Sequence, residues 1–158
     1  MSAALLALAL AAGTQSVTEE DAVREFSTIC VAHFFDLAGM KQAAAASPRG
    51  YVLEDAGTGY RARVWRSPDV AIDYYEGGLM SSQFPECKLT ATLSGPASKR
   101  LLYGALARLP GSTRAAGAFG KQAWVVPEKG TIVATVDAAR PEHVVLTLQS
   151  ILPIESKR

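Results

Sequence analysis

A chain of 158 residues, 49% of them hydrophobic, has the length of one domain and enough apolar side chains to fill one core. Its formal net charge of +1, with both signs interspersed, provides no basic stripe and so excludes nucleic acid as a partner on electrostatic grounds. Asparagine is absent, which excludes N-glycosylation.

In chain order, the run from Ala3 to Ala12 is uncharged and apolar, too short to span a bilayer but of the length of a signal-peptide core. Ala9 and Ala11 satisfy the small-residue rule for cleavage after Ala11, so residues 1–11 read as a signal peptide and the mature protein as periplasmic or secreted. Met1 and Ser2 depart from that pattern, since neither supplies a positive charge. The domain is expected over residues 18–150, with 151–158 as a charged tail and no transmembrane segment.

Thr18 ahead of Glu19, Glu20 and Asp21 is a helix start: a hydroxyl caps free amides and three carboxylates face the positive end of the dipole. Val23, Phe26, Cys30, Phe34 and Leu37 then recur at spacings of three and four, one helical stripe that turns Cys30 inward. Phe35 widens the apolar surface, and Gly39 marks a bend in a helix expected to run on to Ala46. Ser47 and Pro48 end it.

Tyr51 to Leu53 reads as an edge strand. Tyr60–Trp65 and Val70–Tyr75 read as a hairpin turned by Ser67, Pro68 and Asp69. Tyr60, Ala62 and Val64 alternate with Arg61, Arg63 and Trp65, a register that leaves Trp65 and Tyr75 both pointing away from the helices. A long connection from Glu76 to Glu86 carries Leu79, Met80 and Phe84, apolar residues that a mere linker does not need, so they join Trp65 and Tyr75 as partner-binding candidates. In the strand that follows, Cys87, Leu89, Ala91 and Leu93 alternate with Lys88, Thr90 and Thr92, which turns Cys87 inward too. Two cysteines that independent periodicities point at the core, in a chain read as exported, are expected to form a Cys30–Cys87 disulfide rather than remain two buried free thiols.

Ala97 to Leu109 is a second helix, with Leu102, Ala105 and Leu109 inward, stopped by Pro110 and Gly111. A small-residue loop is expected up to Gly120. Lys121–Val126 and Thr131–Val136 then flank a hairpin loop over Pro127 to Gly130, and Val144, Leu146 and Leu148 mark the last strand. The order implies an α+β two-layer sandwich: an antiparallel sheet of about six strands with two helices on one face, and a possible repeat of one helix and three strands. The other sheet face would display Trp65, Tyr75, Val125, Val133 and Val145, a surface for a protein partner or small ligand.

No motif for catalysis survives. Cys30 and His33 have metal-ligand spacing but no second pair, and the only other histidine is His143. Gly117 to Lys121 resembles a phosphate loop but has Ala115 and Gln122 where glycine and a hydroxyl residue are required. The reading therefore assigns no catalytic residue, metal or cofactor. It favours a non-catalytic binding, inhibitor or accessory protein over a hydrolase built on Asp69, Asp73 and Glu76, or over a structural envelope component.

With Cys30 in an early helix, Trp65 at a strand and Cys87 in a later strand, the layout resembles a family of small exported two-cysteine proteins of proteobacteria, some of them lipoproteins. The resemblance spans most of the chain after Ala11. It implies no activity and no catalytic residues, because none is established for that family.

Overall fold

The structure, a computed structural model, describes residues 16–55, 62–76, 84–116 and 122–150. The proposed signal segment, the C-terminal tail, Leu79, Met80 and the loop from Gly117 to Lys121 lie outside the described residues. Within them the architecture is α+β. Helix α1 (Glu19–Phe26) passes through a π-helical turn (Ser27–Val31) and is followed by α2 (Leu37–Ala46). Strands β1 (Val52–Asp55), β2 (Ala62–Arg66), β3 (Val70–Tyr75) and β4 (Glu86–Thr92) come next, then α3 (Lys99–Ala107). Strands β5 (Thr113–Ala116), β6 (Gln122–Val126), β7 (Gly130–Val136) and β8 (His143–Gln149) complete a single eight-stranded antiparallel sheet of order β1-β2-β3-β4-β8-β7-β6-β5.

Helix α1 starts where its sequence dictates. The Thr18 hydroxyl accepts from the Asp21 N–H at 3.2 Å while the Asp21 carboxylate accepts from the Thr18 N–H at 3.1 Å, a reciprocal capping box. The expected single helix to Ala46 is corrected, because the chain breaks between Val31 and Leu37. Asp36 takes the N-cap place of α2, its carboxylate accepting from the Gly39 N–H at 3.0 Å, so the interruption lies ahead of Gly39 rather than at it. Gly39 makes that cap possible, since a Cβ there would stand 2.3 Å from Asp36 Oδ2 and 2.2 Å from His33 Nδ1. Upstream, Ala32 N–H bonds to the Ser27 carbonyl five residues back, and the wider π turn keeps Phe26, Cys30 and Phe34 all fully buried on one line. Lys129, reaching over from the β6–β7 loop, donates to the carbonyls of Val31 and Ala32 and so caps the end of this first segment. Phe35, expected to widen the buried surface, sits after the turn and is 56% exposed.

A polar tie closes the other side. The buried Glu25 carboxylate accepts from Ser47 Oγ at 2.9 Å and Tyr51 O–H at 3.3 Å and faces Arg49 Nε at 3.9 Å, fixing α1 against the α2–β1 connection. Ser47 itself is extended, as the residue before Pro48 must be, and α2 ends there.

All three helices contribute to one core with Ile72, Tyr74, Cys87, Leu89, Trp124, Ile132, Leu146 and Leu148 from one face of the sheet. Two counts from the sequence are corrected: the described residues hold eight strands rather than six and three helices rather than two. Of the two strands beyond that count, one is the edge stretch around Leu53, observed as β1, and the other is β5, where the sequence predicts loop because Thr113 to Ala116 has no large apolar residue. It sits at the sheet edge with only Ala115 half-buried, so it has no buried stripe to declare it.

Cys30 in the π turn and Cys87 in β4 are joined by a disulfide, with sulfurs 2.04 Å apart and both residues fully buried. It ties the helical layer to a central strand. No helix among the described residues is long and apolar enough to cross a membrane.

Candidate functional site

The face of the sheet that turns away from the helices is set by the register of β2 and β3. Ser67 N–H bonds to the Val70 carbonyl at 2.8 Å, so only Pro68 and Asp69 lie in the loop. The sequence reading counted Ser67 as loop as well. Because side chains alternate with a period of two, that one residue reverses every side chain of β2. Trp65 is thus corrected from the open face to the core: it pairs with Leu53 and Ile72 and is 3% exposed. Val64 takes the outward place opposite Asp73.

Two rows run across this open face to the β5 edge, the first from β2 and the second from β3. One runs Val64, Asp73, Lys88, Thr147, Val133, Ala123, Ala115, and the next Tyr75, Glu86, Gln149, Thr131, Val125, Thr113. A further neighbour set brings Val145 between Thr90 and Thr135. The structure therefore gathers Tyr75, Val125, Val133 and Val145 on one surface, as expected. Tyr75 is 37% exposed, and the three valines are half-buried. Phe84 lies half-buried just ahead of β4.

Charge is distributed unevenly over that surface. The β1–β4 half carries Glu54 with Arg66 at 2.7 Å, Asp73 with Lys88 at 3.6 Å, and Glu86. Among the described residues of β5 to β8, the strands present threonine, valine and alanine on this face, with His143 and Gln149 at its ends, and Asp137 just after β7 bonds to His143. Asp73 and Lys88 are cross-strand neighbours at the middle of the sheet, a place the sequence reading passed over. Alternation turns each outward, Asp73 between Ile72 and Tyr74 and Lys88 between Cys87 and Leu89, but the β3–β4 register that brings them together is set across residues 76–86 and has no local signal. In a partly solvated setting such a pair stabilises by at most about 1 kcal/mol, so its position on the face matters more than its strength.

The carboxylates proposed for acid–base chemistry are spread out rather than gathered. Asp69 and Glu76 stand at opposite ends of β3, about 23 Å apart at the usual strand rise. Asp73, between them, is held by Lys88. Glu76 makes itself felt on Tyr74, whose hydroxyl pKa is pushed up to about 12 by burial first and by that carboxylate second.

Cys30 has its sulfur in the disulfide, and His33 Nδ1 faces Asp36 Oδ2 at 3.7 Å, so the Cys-x-x-His spacing serves core and turn. Among the described residues no group of three or more His, Cys, Asp or Glu is placed to hold a metal ion. In comparisons with known proteins, no family model, no curated protein and no solved structure matches the chain.

Proposed function

We propose that this is an exported, non-catalytic binding protein, an inhibitor or accessory subunit, that receives a protein partner on the open sheet face around Tyr75 and the Asp73–Lys88 pair. One observation carries the reading: Tyr75, Val125, Val133 and Val145 share the face opposite the one on which the helices form the core, and a face left to water is ordinarily polar. A tyrosine at such a place offers apolar area with one hydroxyl, a combination favoured at interfaces. Export is supported by the apolar run from Ala3 to Ala12 and by a buried disulfide of the kind oxidising compartments permit. The resemblance to small exported two-cysteine proteins points the same way.

The test is capture from the producing cell's periplasm by the mature protein, compared with Tyr75→Ala and Val133→Lys, both solvent-facing changes. A partner retained by the parent and lost by both variants, with folding intact, supports the reading. Equal retention by all three excludes this face as the site, and tight association with the envelope fraction alone favours a structural envelope component. A hydrolase would instead reveal itself by a turnover abolished in Asp73→Asn. Intact mass of the periplasmic protein tests export separately: a cytoplasmic chain still beginning at Met1 refutes it.

A further inference from the structure

Each half of the chain reads helix, glycine, four-stranded meander. In the first, α2 ends at Ala46 and Gly50, at φ 64°, leads into β1 to β4; in the second, α3 ends at Ala107 and Gly111, at φ 72°, leads into β5 to β8. Both glycines stand two residues before their strand, in backbone that other residues rarely adopt. The order β1-β2-β3-β4-β8-β7-β6-β5 sets the two meanders side by side in opposite directions, as a two-fold axis normal to the sheet would.

The ladder registers agree with that axis residue by residue. The core-facing row Leu53, Trp65, Ile72, Leu89 has its counterpart in Arg114, Trp124, Ile132, Leu148, so the only two tryptophans of the chain fall on equivalent places. On the open face Val64, Asp73, Lys88 corresponds to Ala123, Val133, Thr147. Among the described residues, Val64 and Ala123 are also the open-face ones that are buried, at 7% and 2% exposure. Lys88 and Thr147, equivalent to each other, are paired directly across β4 and β8, so the axis passes between them. The Pro85–Glu86 and Pro141–Glu142 dipeptides are not equivalent on this register, and the repeat contains four strands rather than the three expected. Helix α1 and its π turn have no counterpart among the described residues; α1 packs against α3.

We infer that the chain is a tandem of two equivalent helix-and-four-strand units whose order along the sequence is interchangeable, with β4 and β8 as the seam. No hairpin pairing crosses the connection from β4 to α3, and a Cβ on Gly95 within it would meet nothing within 4 Å. Opening the chain there leaves every meander continuous.

Two circular permutants of the oxidised protein decide it, both with the old ends of the described domain joined by a flexible linker. The Ser150 N–H bonds to Pro85 and the Val17 carbonyl to Ser94, so the gap follows the length of β4, about 30 Å, which a Gly/Ser linker of about 30 residues spans. One permutant opens between Ser94 and Gly95, between the units; the other opens between Pro68 and Asp69, inside the first. The inter-unit permutant is expected to unfold in one transition within about 5 °C of a parent carrying no linker, and the hairpin permutant at least about 10 °C lower. An inter-unit permutant that fails to fold, or that melts no higher than the hairpin permutant, overturns the inference.

Discussion

Tyr74 in β3 donates its hydroxyl hydrogen to the backbone carbonyl of Phe34 at 2.8 Å, joining the turn between α1 and α2 to the sheet across forty residues of sequence. The two rings also meet edge to face, with centroids 6.4 Å apart. Removing only the hydroxyl, in Tyr74→Phe, leaves a buried carbonyl without that partner. A loss of about 1–2 kcal/mol is expected in urea unfolding, and an unchanged midpoint would show that the turn is held by packing alone.

The same hydroxyl makes the fold alkali-sensitive. Its folded pKa of about 12 lies above the value near 10 of an unfolded tyrosine, so its contribution is whole below about pH 10 and is lost as pH rises through 12. Tyr51, raised by burial and by the Glu25 carboxylate, acts in the same direction. The urea midpoint should therefore hold up to about pH 10 and fall as pH rises from there toward 12, and fall less in Tyr74→Phe. An equal fall in that variant would assign the effect elsewhere.

The Cys30–Cys87 bond closes a sequence separation of 57, which in the chain-entropy model stabilises by about 4 kcal/mol. Replacing both cysteines by alanine should lower the melting temperature by about 10 °C. Thiol titration of the denatured, unreduced protein should find no free thiol; two would refute the pairing.

Trp65 and Tyr75, grouped by the sequence as partner-binding residues, should now separate. Trp65→Ala empties a core position and is expected to cost about 3–5 kcal/mol. Tyr75→Ala, on the open face, should change stability by less than about 0.5 kcal/mol while weakening capture of a partner. Similar stability losses for both would contradict the register of β2.

Gly39 and Gly130 differ in what a methyl group would meet. At Gly39 the obstacles are the His33 and Asp36 side chains, which can swing aside at the expense of the α2 cap, so Gly39→Ala should cost about 1 kcal/mol. At Gly130, with φ 149°, a Cβ would come within 2.1 Å of the Gln149 carbonyl oxygen in β8, where only backbone can yield. Gly130→Ala should cost several times more by chemical denaturation, and equal costs would place β7 farther from β8 than the ladder has it.

What the sequence by itself determined were the features whose causes are local. The Thr18 cap, the inward faces of Cys87 to Leu93 and of Val144 to Leu148, the stop at Pro48 and the second helix each follow from side-chain period or backbone chemistry within a few residues. The disulfide was legible because a helical and a strand period, read separately, aimed two cysteines at one interior. Tertiary structure decided what depends on partners distant in sequence. The helix breaks at Asp36 because the Gly39 amide and the Lys129 ammonium satisfy the two ends it exposes. Thr113 to Ala116 becomes a strand only because Trp124 and its neighbours offer an edge to pair with. The open face, and with it the place of Trp65, hung on whether Ser67 belonged to the loop or to the strand. That choice is made by one hydrogen bond to Val70, which no pattern of apolar residues records.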